Sequence, residues 1–280
     1  MRGALVQMRK ATPMIFSYSQ ISHFLRCPRS YRYRYLEGWQ EKETRAGMIF
    51  GRCFEKALAA FFLGQDCGAT LFEEWSSYRD AGLGFKNGEN WDRLYHQGMH
   101  LLELFARDNR IRIPDPQQNL QVKIERDLLH GNQFLAYLDA IGELDGVRSV
   151  IDWKTTSSRY AEEPAGILSL DPQLLCYSWL TGIAEVAFVV FVRKNHPEIQ
   201  YLRTSISDQQ RKEFGDLVAG AIDQIQTAQF PSHSGIRFPQ NGCVSCPHLG
   251  LCLGDQKLIE ANLIRSAGGN ELAWLDELVD

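Results

Sequence analysis

Residues 137–156 read YLDAIGELDGVRSVIDWKTT, and the reading of this stretch decides the fold. Apolar and polar residues alternate on either side of Asp145-Gly146, a dipeptide suited to a tight hairpin turn, so the pattern predicts two antiparallel strands. Side chains two apart in a strand share a face: Asp152 and Lys154 point one way, Ile151 and Trp153 the other. Asp139 lies on the partner strand among apolar neighbours, where it can meet Asp152. Two carboxylates and an ammonium at one sheet surface are a hard-oxygen donor set suited to magnesium or manganese. The lysine is placed to position or activate a water and to neutralise charge on a phosphate.

Working outward, NLQVKIERDLL (119–129), EVAFVVFV (185–192) and IQYLRTSI (199–206) are further strand-like segments. Asp171-Pro172, a cap followed by a first-turn proline, starts a helix that Gly182 stops, and another helix runs from about Asp208 to Thr227. The first third is mainly helical: a helix capped by Ser17 or Ser19, interrupted near Pro28 and resumed, then 47–63, then 68–106 broken by GLGFKNGEN. The chain thus divides into a flexible arm (1–16), a helical region (17–118), a sheet core (119–230), a cysteine-bearing segment (231–265) and an acidic amphipathic tail (266–280).

With 280 residues, 44% hydrophobic and 23% charged, the chain can bury a large core and needs no metal merely to fold. No apolar run approaches the roughly 18 residues of a membrane span, and no phosphate loop of the GxxxxGK type is present. Net charge is −4, which argues against a generally basic nucleic-acid coat, yet residues 1–36 hold seven Lys or Arg and no Asp or Glu. Seven cysteines without framework spacing, and no apolar secretory core, fit a reducing cytoplasm. Clustered cysteines then read as ligands. CVSCPHLGLC (243–252) places Cys243, Cys246 and Cys252 in a C-x2-C-x5-C run. Spacing leaves the fourth ligand open among Cys27, Cys53, Cys67, Cys176 and His248, the last of which would permit zinc.

Asp139 followed by IDWKTT resembles the PD-(D/E)XK nuclease superfamily in its RecB-like branch, where an acidic residue on one strand and D/E-x-K on the next carry the metal site. GRCFEKAL (51–58) matches the helical element in which Gly is followed after three residues by His; here Glu55 takes that position. Gln173 and Tyr177 resemble the Q-x3-Y motif, implied to contact DNA or buttress the site. SYSQISHFLRCPRSYRYRY (17–35) is similar to the N-terminal element of iron-sulfur members. There one cysteine precedes the nuclease core and three follow it, which implies that Cys27, Cys243, Cys246 and Cys252 hold a four-iron four-sulfur cluster, with zinc as the alternative.

The resemblance implies an α/β fold: a restriction-endonuclease-like core with a central mixed β-sheet flanked by helices, an N-terminal helical segment and a C-terminal cysteine cluster. It implies a metal-dependent deoxyribonuclease, an exonuclease of DNA repair, recombination or phage- or CRISPR-related processing. Glu55, Asp139 and Asp152 would hold magnesium or manganese, and Lys154 would orient the water. The substrate would be single-stranded DNA or duplex ends, met by Arg26, Arg29, Arg32 and Arg34, which alternate with aromatics able to stack on bases. The alternative reading is a catalytically inactive relative that binds DNA or a partner around a structural cluster. The acidic tail is a possible docking segment for a protein partner.

Overall fold

The hairpin around Asp145-Gly146 lies within a seven-stranded mixed sheet. The computed structural model describes residues 13–86, 88–164, 166–232 and 242–265. In chain order these hold β1 (Ile15–Ser17), α1 (Tyr18–Arg26), α2 (Pro28–Tyr31), which runs on as a π-helical turn, β2 (Trp39–Glu41), α3 (Ala46–Phe62), α4 (Cys67–Ser76), α5 (Trp91–Ala106), β3 (Ile111–Arg112), α6 (Pro116–Asn119) and β4 (Leu120–Asp127). There follow β5 (Gln133–Leu144), β6 (Val147–Thr156), α7 (Pro172–Thr181), β7 (Glu185–Val192), β8 (Glu198–Ser205), α8 (Asp208–Gln226), α9 (Leu249–Leu253), α10 (Gln256–Asn262) and β9 (Leu263–Arg265). The acidic tail at 266–280 lies outside the described residues, as do residues 1–12 of the expected arm. The rest of that arm is not loose, because Ile15 to Ser17 pair with β5.

Local chemistry sets the boundaries. Asp145 and Gly146 both take positive φ, 51° and 79°, as a turn matching the right-handed strand twist requires. Ser17 caps α1 in a reciprocal capping box with Gln20. Pro28 cannot donate a backbone hydrogen bond to continue α1, so Cys27 is extended and α2 restarts at the proline. The Asp171 carboxylate accepts from the Gln173 and Leu174 amides, and Gly182, at φ 73°, ends α7.

The sheet order is β1-β5-β6-β7-β8, with β3 and β4 on the other edge of β5; β6 and β7 run parallel. Two cores flank it, giving the helix-covered α/β layers expected. Phe134, Leu138, Val150 and Val190 pack against α1, α7 and α8, whereas Ala140, Ile151, Trp153 and Phe191 pack against α3, α4 and α5. Fully buried Trp75, Phe50, Phe54 and Phe105 anchor the second core, large side chains of this kind contributing roughly 1.5–3 kcal/mol each when removed from water.

One edge of β5 is shared between two partners. It pairs with β1 over residues 133–135 and with β6 over 140–144. Between them lies a gap, and the side-chain alternation shifts phase there: Leu138 faces one core and Ala140 the other. On β4, opposite the gap, Gln121 takes a left-handed φ of 50°, so that Leu120 and Val122 also fall on opposite faces. Asp139 sits at this break.

The chain ends are joined. Trp39 to Glu41 pair antiparallel with Leu263 to Arg265, and the Arg29 amide donates to the Pro231 carbonyl at 3.2 Å.

Candidate active site

Asp152 is 1% exposed and faces α7 from the middle of β6. Its Oδ1 accepts from Gln173 Nε2 at 2.9 Å and from the Tyr177 hydroxyl at 3.2 Å. Gln173 Nε2 also lies 2.7 Å from Tyr177 Oη, and Gln173 Oε1 accepts from Lys154 Nζ at 3.0 Å. Gln173 and Tyr177 stand i and i+4 on one face of α7, whose start Asp171 fixes, so one helix turn delivers both. Lys154 Nζ is 2.5 Å from Asp152 Oδ2 and lies over the Phe188 ring.

Asp139 reaches Asp152 through the gap rather than across a regular hairpin pair. Its Oδ2 accepts from the Trp153 amide at 2.7 Å, a donor that β5 leaves free by turning away. Glu55 arrives from the opposite layer. Gly51 lets α3 approach β6 closely: a Cβ there would stand 3.2 Å from Thr155 Oγ1. One turn later Glu55 hydrogen-bonds Asp139, and its Oε1 accepts from Gln121 Nε2 at 2.5 Å. The break in β5 therefore brings together carboxylates carried by two layers of the fold.

Burial, then the charges of Glu55 and Asp152, holds the Asp139 carboxyl well above the usual carboxylate range. Burial also raises Asp152, against the pull of Lys154. For Lys154 burial works against the ammonium, but Asp152 and Asp139 outweigh it, and its pKa lies above that of ordinary lysine. The Tyr177 hydroxyl is pushed up by burial beside these carboxylates.

Among the described residues no three His, Cys, Asp or Glu side chains stand together as a ready metal-binding group. The expected sets are therefore not preassembled. For the carboxylates the reason is visible: Asp139 Oδ2, Glu55 Oε1 and Asp152 Oδ1 are engaged by the Trp153 amide, Gln121, Gln173 and Tyr177. Asp152 Oδ2 differs. It is buried, and the Lys154 ammonium meets it at 2.5 Å. A buried carboxylate oxygen held by an ammonium among hard donors fits a divalent cation, and magnesium needs only one or two carboxylates beside its waters and a substrate phosphate.

None of the seven cysteines forms a disulfide among the described residues. Cys246 lies within electrostatic reach of Cys252 and Cys27, and Cys252 is hydrogen-bonded by Tyr33. His248 is 2% exposed, and its Nδ1 lies 2.8 Å from Ser30 Oγ, which is 2.8 Å from His23 Nε2.

Of the arginines, Arg26 and Arg32 are exposed, Arg32 pairing with Glu37 at 2.7 Å; Arg29 is half-buried, and Arg34 lies over the Tyr35 ring. The interleaved aromatics do not form a stacking surface throughout. Phe24 and Tyr31, 2% and 1% exposed, belong to the core, where Tyr31 stacks on Phe230.

The sequence model of the PD-(D/E)XK nuclease superfamily matches residues 15–253, from β1 through α9. The chain belongs to this superfamily. No curated protein sequence matches it. Among solved structures it is similar to a candidate exonuclease from Eubacterium rectale, at 13% identity and a TM-score of 0.51, covering 85% of this chain and 92% of that one. The protein SSO0001 aligns at 15% identity and a TM-score of 0.38, covering 86% of each chain. Among the described residues no helix is long and apolar enough to cross a membrane.

Two residues of this superfamily member escape sequence reasoning. Gln121 holds Glu55 from a left-handed position that glutamine does not advertise. Tyr160, just past β6, lies within the field of Lys154 and Asp152, and no motif marks it.

Proposed function

We propose that the protein hydrolyses phosphodiester bonds of DNA as a metal-dependent exonuclease of the RecB-like branch. The observation that carries this is the pairing of buried Asp152 with Lys154, and of Asp139 with Glu55, beside the split edge of β5. Asp139 and Asp152, with Glu55, are the residues to hold magnesium or manganese. Such an ion supplies Lewis acidity toward the phosphodiester and a water of lowered pKa. Lys154, paired with two carboxylates, stays protonated near neutral pH; it can orient a water and neutralise charge on the phosphate, but it does not remove a proton. Gln173 and Tyr177 hold Asp152 in place, and Arg26, Arg29, Arg32 and Arg34 are assigned to the DNA backbone.

The exonucleolytic mode, and a role in repair, recombination or phage- or CRISPR-related processing, follow the RecB-like resemblance. Clustered cysteines without framework spacing support a reducing, cytoplasmic setting. Cys27, Cys243, Cys246 and Cys252 are the proposed ligands of a four-iron four-sulfur cluster, supported by the proximity of Cys246 to Cys252 and Cys27 and by the joined chain ends. A brown protein after anaerobic purification that loses its colour in Cys27→Ala supports the cluster; a colourless protein with stoichiometric zinc refutes it.

Nuclease activity is tested by incubating the full chain with labelled single- and double-stranded DNA and magnesium or manganese. Progressive loss of label from the ends is expected. No cleavage with either metal rejects the enzymatic reading.

A further inference from the structure

At the carboxyl ends of the parallel neighbours β6 and β7 opens a cleft of about 530 Å³. Ser157 lines it just past β6, Arg193 and Lys194 just past β7, Lys86 from the loop between α4 and α5, and Arg93 from the first turn of α5. Four cations face it with one carboxylate, Glu89. Arg193 is the unusual member. Its side chain is 4% exposed, packs over the Phe50 ring and meets Glu89 at 3.1 Å. Its Nε is buried with no partner among the described residues.

A guanidinium has five N–H donors in a fixed fork, and leaving a buried donor unmade costs about 1–3 kcal/mol. A single glutamate therefore under-uses this group. The ligand that would complete it is an anion with several acceptor oxygens, for which a phosphodiester is the natural fit. The other cations remain available: Lys194 approaches Glu198 only to 4.0 Å, and Arg93, on an exposed position, is tied to the Gly88 carbonyl and to Asn195.

The cleft's position relates it to the candidate active site. The Arg193 amide donates to the Thr156 carbonyl at 2.7 Å, which fixes the buried guanidinium to β6 two residues beyond Lys154. From Lys154 to Ser157 an extended chain covers about 10 Å, roughly the rise of three stacked nucleotides. Ligands of open α/β sheets bind outside the carboxyl ends of strands, and this cleft lies there.

We infer that the cleft around Arg193 binds a backbone phosphate of the DNA strand a few nucleotides from the bond being cut. The inference rests on the nuclease reading, and binding measured without divalent metal separates the two. Arg193 is buried and its replacement endangers the fold, so the test uses Arg93→Ala combined with Lys194→Ala. Anisotropy of a fluorescein-labelled twelve-nucleotide oligothymidine is followed in EDTA between about 50 and 200 mM salt. The double variant should bind about tenfold more weakly. Its slope of log K against log salt should fall by about 0.7 for each phosphate that the variant no longer neutralises. Unaltered affinity and slope in the variant overturn the inference, and if wild type still cleaves DNA the nuclease reading survives. Thymidine monophosphate binding as tightly as the oligonucleotide also overturns it, marking a free-nucleotide site. If the variant loses affinity while wild type cleaves nothing, the phosphate site stands and the nuclease reading falls.

Discussion

Lys154 Nζ and Asp152 Oδ2 stand 2.5 Å apart on one face of β6, with side chains 26% and 2% exposed. A carboxylate so deeply buried is tolerated only when paired, and removing one partner of a buried pair costs roughly 3–5 kcal/mol. Lys154→Ala should therefore lower the stability of the metal-free protein by about 3 kcal/mol. Urea titrations in EDTA read this directly; a midpoint equal to wild type would mean that the ammonium does not compensate Asp152.

Gln173 touches both members of this pair, donating to Asp152 and accepting from Lys154. Removing such a supporting group typically costs 10–100-fold in metal affinity or activity. For Gln173→Ala a single-turnover cleavage rate lower by about that factor is expected, with the circular dichroism spectrum retained. A rate within twofold of wild type would leave Gln173 without a positioning role.

Gly98, on α5, lies close against the second core. A Cβ there would fall 2.7 Å from Phe50 Cζ and 2.9 Å from Leu71 Cδ2, both fully buried. Alanine gains about 1 kcal/mol over glycine in a helix, but overpacking a filled core costs about 1–3 kcal/mol. The clash should win, so Gly98→Ala is expected to lower the melting temperature; an increase would show that Phe50 gives way easily.

Burial, reinforced by Arg26, His248 and Arg34, lowers the pKa of His23 from 6.5 to about 3. Between those values the unfolded chain binds a proton that the folded chain refuses, so stability rises with pH across the window and is lost as pH falls through it. His23→Gln can still bond Ser30 but does not titrate. Its melting temperature should fall less steeply below pH 6.5 than that of wild type. Asp139 and Asp152, whose raised pKa values act in the opposite sense, are common to both proteins. Parallel acid limbs would clear His23 of this role.

How far the sequence exposed this molecule follows from what each feature demands of it. The Asp145-Gly146 turn was legible because positive φ at two successive positions restricts residue choice sharply. The helix starts at Ser17 and Asp171 were legible as caps. By contrast β1, β2, β3 and β9 have two or three residues each, too few to display a period, and β2 and β9 find each other across most of the chain. The split edge of β5 left no signal either. Alternation through 133–144 reads as one regular strand, and the phase shift at Asp139 depends on Gln121, an ordinary residue in an uncommon conformation. Glu55 could be placed by its distance from Gly51, but not the layer from which it enters. Arginines alternating with aromatics look the same on a stacking surface as on a packed helix, and burial assigns Phe24 and Tyr31 to the core.

Asp152→Asn tests the central claim most directly. Asparagine keeps the shape and an acceptor for Gln173 and Tyr177 but removes the buried charge, so the fold should hold. Single-turnover hydrolysis of end-labelled DNA with saturating manganese should then fall by about a hundred- to a thousandfold, the scale of losing an essential electrostatic group, while the circular dichroism spectrum stays that of a folded protein. Hydrolysis within a few-fold of wild type, from a folded variant, would contradict the assignment of the reaction to Asp152 and its neighbours.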